Sequence, residues 1–368
     1  MKALGLMSGT SLDGIDLAVI ESDGLRVTAF GPALTVPHLP ATRAACREAS
    51  RQAAGWRRGD PVPAAVEDAA ARITEAHRLA IHHFLATSGE TGIELIGFHG
   101  QTVLHRPAER LTWQIGDAQA LADAFAIPVI GQMRLADVEA GGQGAPLVPL
   151  YHRALLLSSA AQGQPVAVLN LGGVGNVTWL DGEAEPVAFD TGPGNALIDD
   201  WALQHTGVPI DRDGALAAAG RVHGDVLAAL MDHPYFDLPA PKSLDRDDFT
   251  LSAVRGLSTA DGAATLTAFT AETVAAAFAQ FPAPVSRVLV TGGGRLNPTL
   301  MAMLKRRLGL PVLPVEAMGW RGDSLEAEAF AFLALRSLKG LPLSVPGTTG
   351  VPRPLTGGQL FRPSRMSR

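Results

Sequence analysis

VAVLNLGGVGNVTWL (residues 166–180), followed shortly by AFDTGPGN (residues 188–195), is the stretch on which the reading of this chain turns. An apolar run from Val166 to Leu171 enters a small-residue turn at Gly172, Gly173, Gly175 and Asn176. It leaves as the alternating Val177, Thr178, Trp179 and Leu180. That pattern predicts a β-hairpin. Glycines leave backbone N–H groups uncovered, so such a turn can form a concave nest for an anion such as phosphate. Farther on, Phe189 delivers Asp190 to a second glycine turn, Gly192-Pro193-Gly194, which would display the carboxylate. The plainer alternative is that the glycines only make turns and that Asp190 is a helix cap or turn residue.

The same plan occurs at the amino terminus. A short apolar strand over residues 3–8 ends at Ser8, passes through Gly9, Thr10, Ser11, Leu12, Asp13 and Gly14, and resumes as an apolar strand over residues 15–21. Two hairpins of one design, one in each half, predict a duplicated two-domain α/β architecture. The intervening chain predicts further strands over residues 25–36 and 94–98, and a helix over 63–87. His77, His82 and His83 on that helix lack a metal spacing and are expected to be solvated. A strand at 94–98 is expected to stop at His99, the kind of strand end where open α/β sheets build sites. A helix follows Asp117, a strand spans 128–133, and Gly141, Gly142 and Gly144 punctuate a loop at which the domain boundary is expected, giving domains 1–140 and 141–368.

In the second half, helices are expected over 195–205 and about 261–281, with Asp211 as a cap rather than a calcium ligand, because the later ligands of a calcium loop are missing. A strand over 285–291 runs into Gly292, Gly293 and Gly294, with Asn297 and Pro298 opening the next helix as N-cap and first residue. Asp323 and Glu326 have capping-box spacing. The proline- and glycine-rich tail from Pro342 reads as coil.

Composition narrows the chemistry. At 368 residues, 47% hydrophobic, the chain can bury a large core. Its net charge of −6 and lack of a long basic run argue against nucleic acid or an anionic membrane as partner. No segment approaches the roughly 20 apolar residues of a membrane span. Cys46 is the single cysteine, so no internal disulfide forms, and no signal-like apolar core precedes Gly9; the cytoplasm is the expected location. Only four lysines occur, Lys2, Lys242, Lys305 and Lys339, none in a P-loop context. A bound nucleotide would be held by backbone N–H groups, hydroxyls, arginine and a divalent cation.

Taken together, Gly5 to Gly14, the His99-Gly100-Gln101-Thr102 and Gln114-Ile115-Gly116 segments, Ala140 to Pro146, the Leu171-Gly172-Gly173 turn with Asn176, Phe189 to Asn195, the Pro241-Lys242-Ser243 segment and Gly292 to Gly294 resemble the anhydro-N-acetylmuramic acid kinase family. The resemblance runs in family order from residue 5 to about residue 335. It implies a two-domain actin-like ATPase fold, a duplicated ribonuclease H-like arrangement with the active site in a cleft between the domains. It also implies ATP and Mg²⁺ as cofactors and 1,6-anhydro-N-acetylmuramic acid as substrate, opened by water and phosphorylated on its 6-oxygen for cell-wall recycling. By the same resemblance Gly9, Thr10, Ser11, Leu12, Asp13, Gly14, Ile15 and Asp16 form a first ATP loop. Gly172, Gly173 and Asn176 form a second, and Gly292, Gly293 and Gly294 contact adenosine. Asp190 is the catalytic base, and His99, Arg134 and Glu326 contact the sugar; no metal ligand is assigned. A homodimer is compatible with these features. Three segments depart from the family pattern: a single arginine at Arg134, Leu244-Asp245 after Ser243, and Gly319 to Leu325 without the usual proline-tryptophan stretch. An ordinary sugar or acyl-phosphate kinase of the same fold, acting on a free hydroxyl, and an ATP-gated binding protein without substrate chemistry are the competing readings. The short tail after residue 340 argues against the second.

Overall fold

In the computed structural model the described residues are 1–159, 163–244 and 246–364. In chain order their strands are β1 (Lys2–Ser8), β2 (Gly14–Ser22), β3 (Val27–Pro37), β4 (Leu95–Arg106), β5 (Leu111–Ile115), β6 (Val129–Gly131), β7 (Val166–Leu171), β8 (Val174–Leu180), β9 (Val187–Pro193), β10 (Val288–Thr291), β11 (Val312–Pro314) and β12 (Gln359–Phe361). The chain forms two compact units, Met1–Ala160 with Ser324–Arg368, and Ala161–Asp323.

The first unit is built on the sheet β12-β6-β4-β1-β2-β3, with β5 paired to β4. β1, β2 and β3 form an antiparallel meander, while β4 lies parallel to β1 and β6 parallel to β4. The second unit repeats this plan as β11-β10-β7-β8-β9: an antiparallel meander from β7, then β10 parallel to β7 and β11 parallel to β10. The duplication expected from two similar hairpins is therefore a duplication of topology. Parallel strands buried on both faces read as continuous apolar runs. Leu4, Leu6, Ile96 and Phe98 accordingly have almost no exposed surface, and each contributes about 1.5–3 kcal/mol through burial.

The compact units divide after Ala160 and again before Ser324, rather than once between residues 140 and 141. The glycine loop is tied into the first unit by Asp137, whose carboxylate accepts from the Gly144 N–H and the Thr349 hydroxyl, both at 2.6 Å. The helix Pro149–Ser158 stays there too, with the Tyr151 hydroxyl donating to the buried Glu328 carboxylate at 2.6 Å. The chain then returns because the helix Leu325–Leu338, apolar nearly all round, needs a sheet to cover it. It lies backbone to sheet, and a Cβ at Gly5 or Gly97 would run into the carbonyls of Ala327 or Phe330.

Two local expectations are corrected. The tail beyond Pro342 is not all coil: β12 pairs antiparallel with β6, with Gln359 opposite Gly131, closing an edge that would otherwise expose unpaired backbone. His77 is not solvated. It is fully buried on the helix Ala64–Ser88, with Nδ1 2.8 Å from the Ile73 carbonyl, and burial lowers its pKa to about 4. His82 and His83 are exposed as expected.

Candidate active site

The turn between β7 and β8 is Gly172-Gly173, and its carbonyls point toward the start of the next helix. Asn195 N–H donates to the Gly172 carbonyl at 2.7 Å, and Gly194 and Ala196 N–H groups donate to the Gly173 carbonyl at 2.8 and 3.2 Å. In a planar trans peptide the N–H points opposite to the carbonyl of the same unit. The N–H groups of Gly173 and Val174 therefore aim together to the other side, as an anion nest requires. Neither glycine has a positive φ. A Cβ at Gly172 would meet nothing nearer than 3.7 Å and one at Gly173 nothing nearer than 3.8 Å, and at Gly9 in the first unit the nearest atom is 3.5 Å away. Neither packing nor backbone conformation demands glycine at these three positions, so the open space they leave suits close approach by a ligand.

Other glycines of the expected nucleotide site have internal reasons. Gly292 has φ +76°, and a Cβ there would strike the Asn170 side chain, with the Leu171 carbonyl 2.7 Å away; one at Gly294 would meet the Leu171 Cβ at 2.5 Å. Gly293 is exposed and open. The loop is braced by Arg295, which donates to the Gly292 carbonyl at 3.1 Å and pairs with Glu316 at 2.9 Å and Asp323 at 2.6 Å. This use of Asp323 overturns the capping box. The N-cap of the Leu325–Leu338 helix is Ser324, without a side-chain cap, and Glu326 is released from a structural role.

Asp190 sits within β9 opposite Asn176, not at the turn that follows. Among the described residues its carboxylate accepts one hydrogen bond, from the Leu244 N–H at 2.9 Å. It is half-buried. Burial pushes its pKa up to about 7, with the Leu244 bond opposing. A carboxylate in this state is poised to accept a proton near neutrality.

In the first unit, the Gly9 to Asp16 segment spans the β1–β2 connection. Thr10, Ser11 and Asp13 are exposed, while Leu12 and Ile15 face the core and a Cβ added at Gly14 would lie 2.6 Å from the Val36 carbonyl. Leu12 is buried at φ +57°, a strained conformation for a branched side chain. The turn is anchored by residues not singled out from the sequence. The Ser8 hydroxyl donates to Gln101 Oε1 at 2.6 Å and accepts from His38 Nε2 at 2.9 Å, and Gln101 Nε2 donates to the Gly9 carbonyl at 3.2 Å. For Gln101 the signal was its place just past the apolar run expected to stop at His99; the strand does not stop there but continues to Arg106, because β4 leaves β1 to pair with β5.

His99, Arg134 and Glu326 are brought together. His99 Nδ1 faces the Gly100 carbonyl at 2.8 Å, and Arg134 Nε donates to His99 Nε2 at 3.0 Å, which requires a neutral imidazole. Burial and the Arg134 charge hold the His99 pKa well below its usual range. Arg134 also donates to the Gly144 carbonyl at 2.7 Å. The Glu326 carboxyl is raised, first by desolvation and then by the charges of Asp16 and Asp13, while Arg134 opposes the shift. Its side-chain surface remains open to solvent.

No helix among the described residues is long and apolar enough to cross a membrane. The family model described as anhydro-N-acetylmuramic acid kinase matches residues 1–363. A protein of that name from Rhodospirillum rubrum is 57% identical, over 97% of this chain and 93% of its own length. One from Paramagnetospirillum magneticum is 56% identical over 98% of this chain and 99% of its own, and one from Rhizorhabdus wittichii 55% identical over 99% of each. Among solved structures, a xyloylose kinase from Brucella ovis aligns at 12% identity with a TM-score of 0.47, covering 99% of this chain and 95% of that one. Matched by the family model over residues 1–363 and by relatives more than half identical along nearly the whole chain, the chain belongs to the anhydro-N-acetylmuramic acid kinase family.

Proposed function

We propose that this kinase couples opening of the 1,6-anhydro ring of its sugar to transfer of the ATP γ-phosphoryl group, with Asp190 as the one general base. The 6-oxygen of the substrate is tied into a bridge to C1 and has no proton to lose. Asp190 takes a proton from water, the water oxygen bonds to C1 as the C1–O6 bond breaks, and O6 bonds to the γ-phosphorus as ADP leaves. This is inverting-glycosidase chemistry in which the phosphoryl group takes the place of the acid that would protonate the leaving oxygen. The product is N-acetylmuramic acid 6-phosphate, an intermediate of peptidoglycan recycling, and the enzyme works in the cytoplasm.

The observation that carries this reading is the half-buried Asp190 carboxylate, held by one backbone N–H and shifted to about 7, in the unit that carries the open Gly172-Gly173 turn. Gly9 to Ser11 and Gly172-Gly173 hold phosphates through backbone N–H groups, and His99, Arg134 and Glu326 contact the sugar. No group of three or more His, Cys, Asp or Glu side chains converges among the described residues in a manner that could hold a metal. That fits Mg²⁺, which takes one or two carboxylates together with phosphates and water, and Asp13 and Asp16 would supply them. When bound, Mg²⁺ neutralises charge on the transferred group.

ATP consumption with a panel of anhydro and open amino sugars tests the substrate. Turnover confined to the anhydro sugar supports ring opening, whereas equal turnover with the open sugar identifies an ordinary hydroxyl kinase. Two further outcomes are expected. A base works only when ionised, so kcat at saturating substrates rises through an acid limb near pH 7, because the raised pKa leaves Asp190 protonated below that value. A limb near the ordinary carboxylate range would remove Asp190 from the role. Arg134→Met, which strips a charged donor from the His99–Glu326 cluster, is expected to raise the sugar KM by roughly 10- to 100-fold with little change in ATP affinity. Steady-state kinetics varying each substrate decides it.

A further inference from the structure

β9 is the last strand of its sheet, so a residue in it has one side of its backbone without a strand partner. At Asp190 that side is covered by a single neighbouring segment. The Asp190 N–H donates to the Lys242 carbonyl at 3.0 Å, the Asp190 carbonyl accepts from the Tyr235 hydroxyl at 2.6 Å, and the Asp190 carboxylate accepts from the Leu244 N–H at 2.9 Å. All three groups of the residue, amide, carbonyl and carboxylate, are thus held from residues 235–244.

What holds that segment in turn is Lys242. Its ammonium is buried, donates to the carbonyls of Tyr235 at 3.0 Å and Phe236 at 3.4 Å, and lies 4.5 Å from the Tyr235 ring centroid. Tyr235 and Phe236 are set in an aromatic cluster with Phe249 and Phe269. A buried ammonium is costly unless hydrogen-bonded, and here its bonds join the two ends of the covering segment.

We propose that Tyr235 and Lys242 are positioning residues for this reaction, a clasp that fixes Asp190 on an open sheet edge and keeps bulk water from its outer side. The proposal rests on Asp190 being the base, and neither residue touches the reacting atoms. The groups facing Asp190 are the Tyr235 hydroxyl and the Leu244 N–H. The Lys242 charge acts with Asp237, and Asp248 acts on Tyr235. Loosening the clasp weakens both burial, which raises the Asp190 pKa, and the Leu244 bond, which lowers it. Burial is the larger cause, so the net movement is downward.

The test uses the full-length enzyme as Tyr235→Phe, Lys242→Met and Lys242→Arg, with Asp190→Asn alongside. Tyr235→Phe keeps the ring and removes only the donor to the Asp190 carbonyl, so it folds even if Lys242→Met does not. It is expected to lower kcat about tenfold with both KM values within about twofold, as a small misplacement of a catalytic group does. The acid limb of its kcat–pH profile is expected to move down by about half a unit. Lys242→Met should behave likewise, with Lys242→Arg restoring the limb. If folded Tyr235→Phe keeps the wild-type kcat and limb while Asp190→Asn is inactive, the clasp is refuted and the base stands. If Asp190→Asn is active, the base itself is refuted.

Discussion

Asp190→Asn is expected to lower kcat by roughly 10²- to 10⁴-fold, the usual cost of losing a general base, while ATP still binds. Asparagine keeps the size of the side chain and an oxygen to accept the Leu244 N–H, but it cannot take up a proton. The same substitution removes a carboxylate whose ionisation the fold opposes. Because the folded-state pKa is raised to about 7, ionisation costs stability fully above that pH and not at all below the unfolded value. The variant should therefore melt at a higher temperature than the wild type at mildly alkaline pH, an advantage that fades as pH falls through 7. Turnover in ¹⁸O-labelled water locates the attack. Early product should carry label at C1 and none in the phosphoryl group, judged against unlabelled product incubated equally long to correct for anomeric exchange. Label in the phosphoryl group, or a near-normal rate for the asparagine variant, would overturn the assignment.

Gly173→Val and Gly9→Val are expected to weaken nucleotide binding by roughly 30- to 1000-fold, the loss of one or two hydrogen bonds to a charged group, with the protein still folded. Most glycine substitutions fail through strain or collision. At these two positions an added Cβ meets nothing nearer than 3.8 and 3.5 Å, and neither glycine has a positive φ. The valine methyls would instead fill the space in front of the backbone N–H groups. Calorimetric titration with ADP, beside a thermal melt, separates the outcomes. A stable variant with normal affinity would take these turns out of the nucleotide site. Gly292→Ala is the contrasting control: its left-handed φ and its collision with Asn170 predict loss of stability first.

The hairpins, their glycine turns and the duplication they suggested were legible because they are local. A period of two, an apolar run and a turn residue declare a strand pair whatever surrounds it, and β1–β2 and β7–β8 formed where expected. Glu326 shows where that reasoning ends. Three residues from Asp323 it had capping-box spacing, yet Arg295 holds Asp323, and a competing ion pair across distant sequence is invisible to a local pattern. His77 failed differently: its spacing from Ile73 and Phe84 puts it on the apolar stripe of its helix, but nothing local shows that a polar ring there will be held by the Ile73 carbonyl rather than turned to solvent.

The chain by itself pointed to the fold and to the candidate groups: two glycine turns open enough for an anion, one carboxylate beside the second, and, through the family resemblance, a histidine, an arginine and a glutamate proposed to contact the sugar. Tertiary structure decided which of these groups are in a state to act. It settled that Gly9, Gly172 and Gly173 face open space while Gly292 is fixed by packing. It set the pairing of Arg134 with a neutral His99, and it put Asp190 on a bare sheet edge covered by Tyr235 and Lys242. The physical reason is one of range. Backbone propensity and hydrophobic period act over a few residues, whereas proton affinity and burial depend on whatever the fold brings within a few ångströms, from anywhere along the chain.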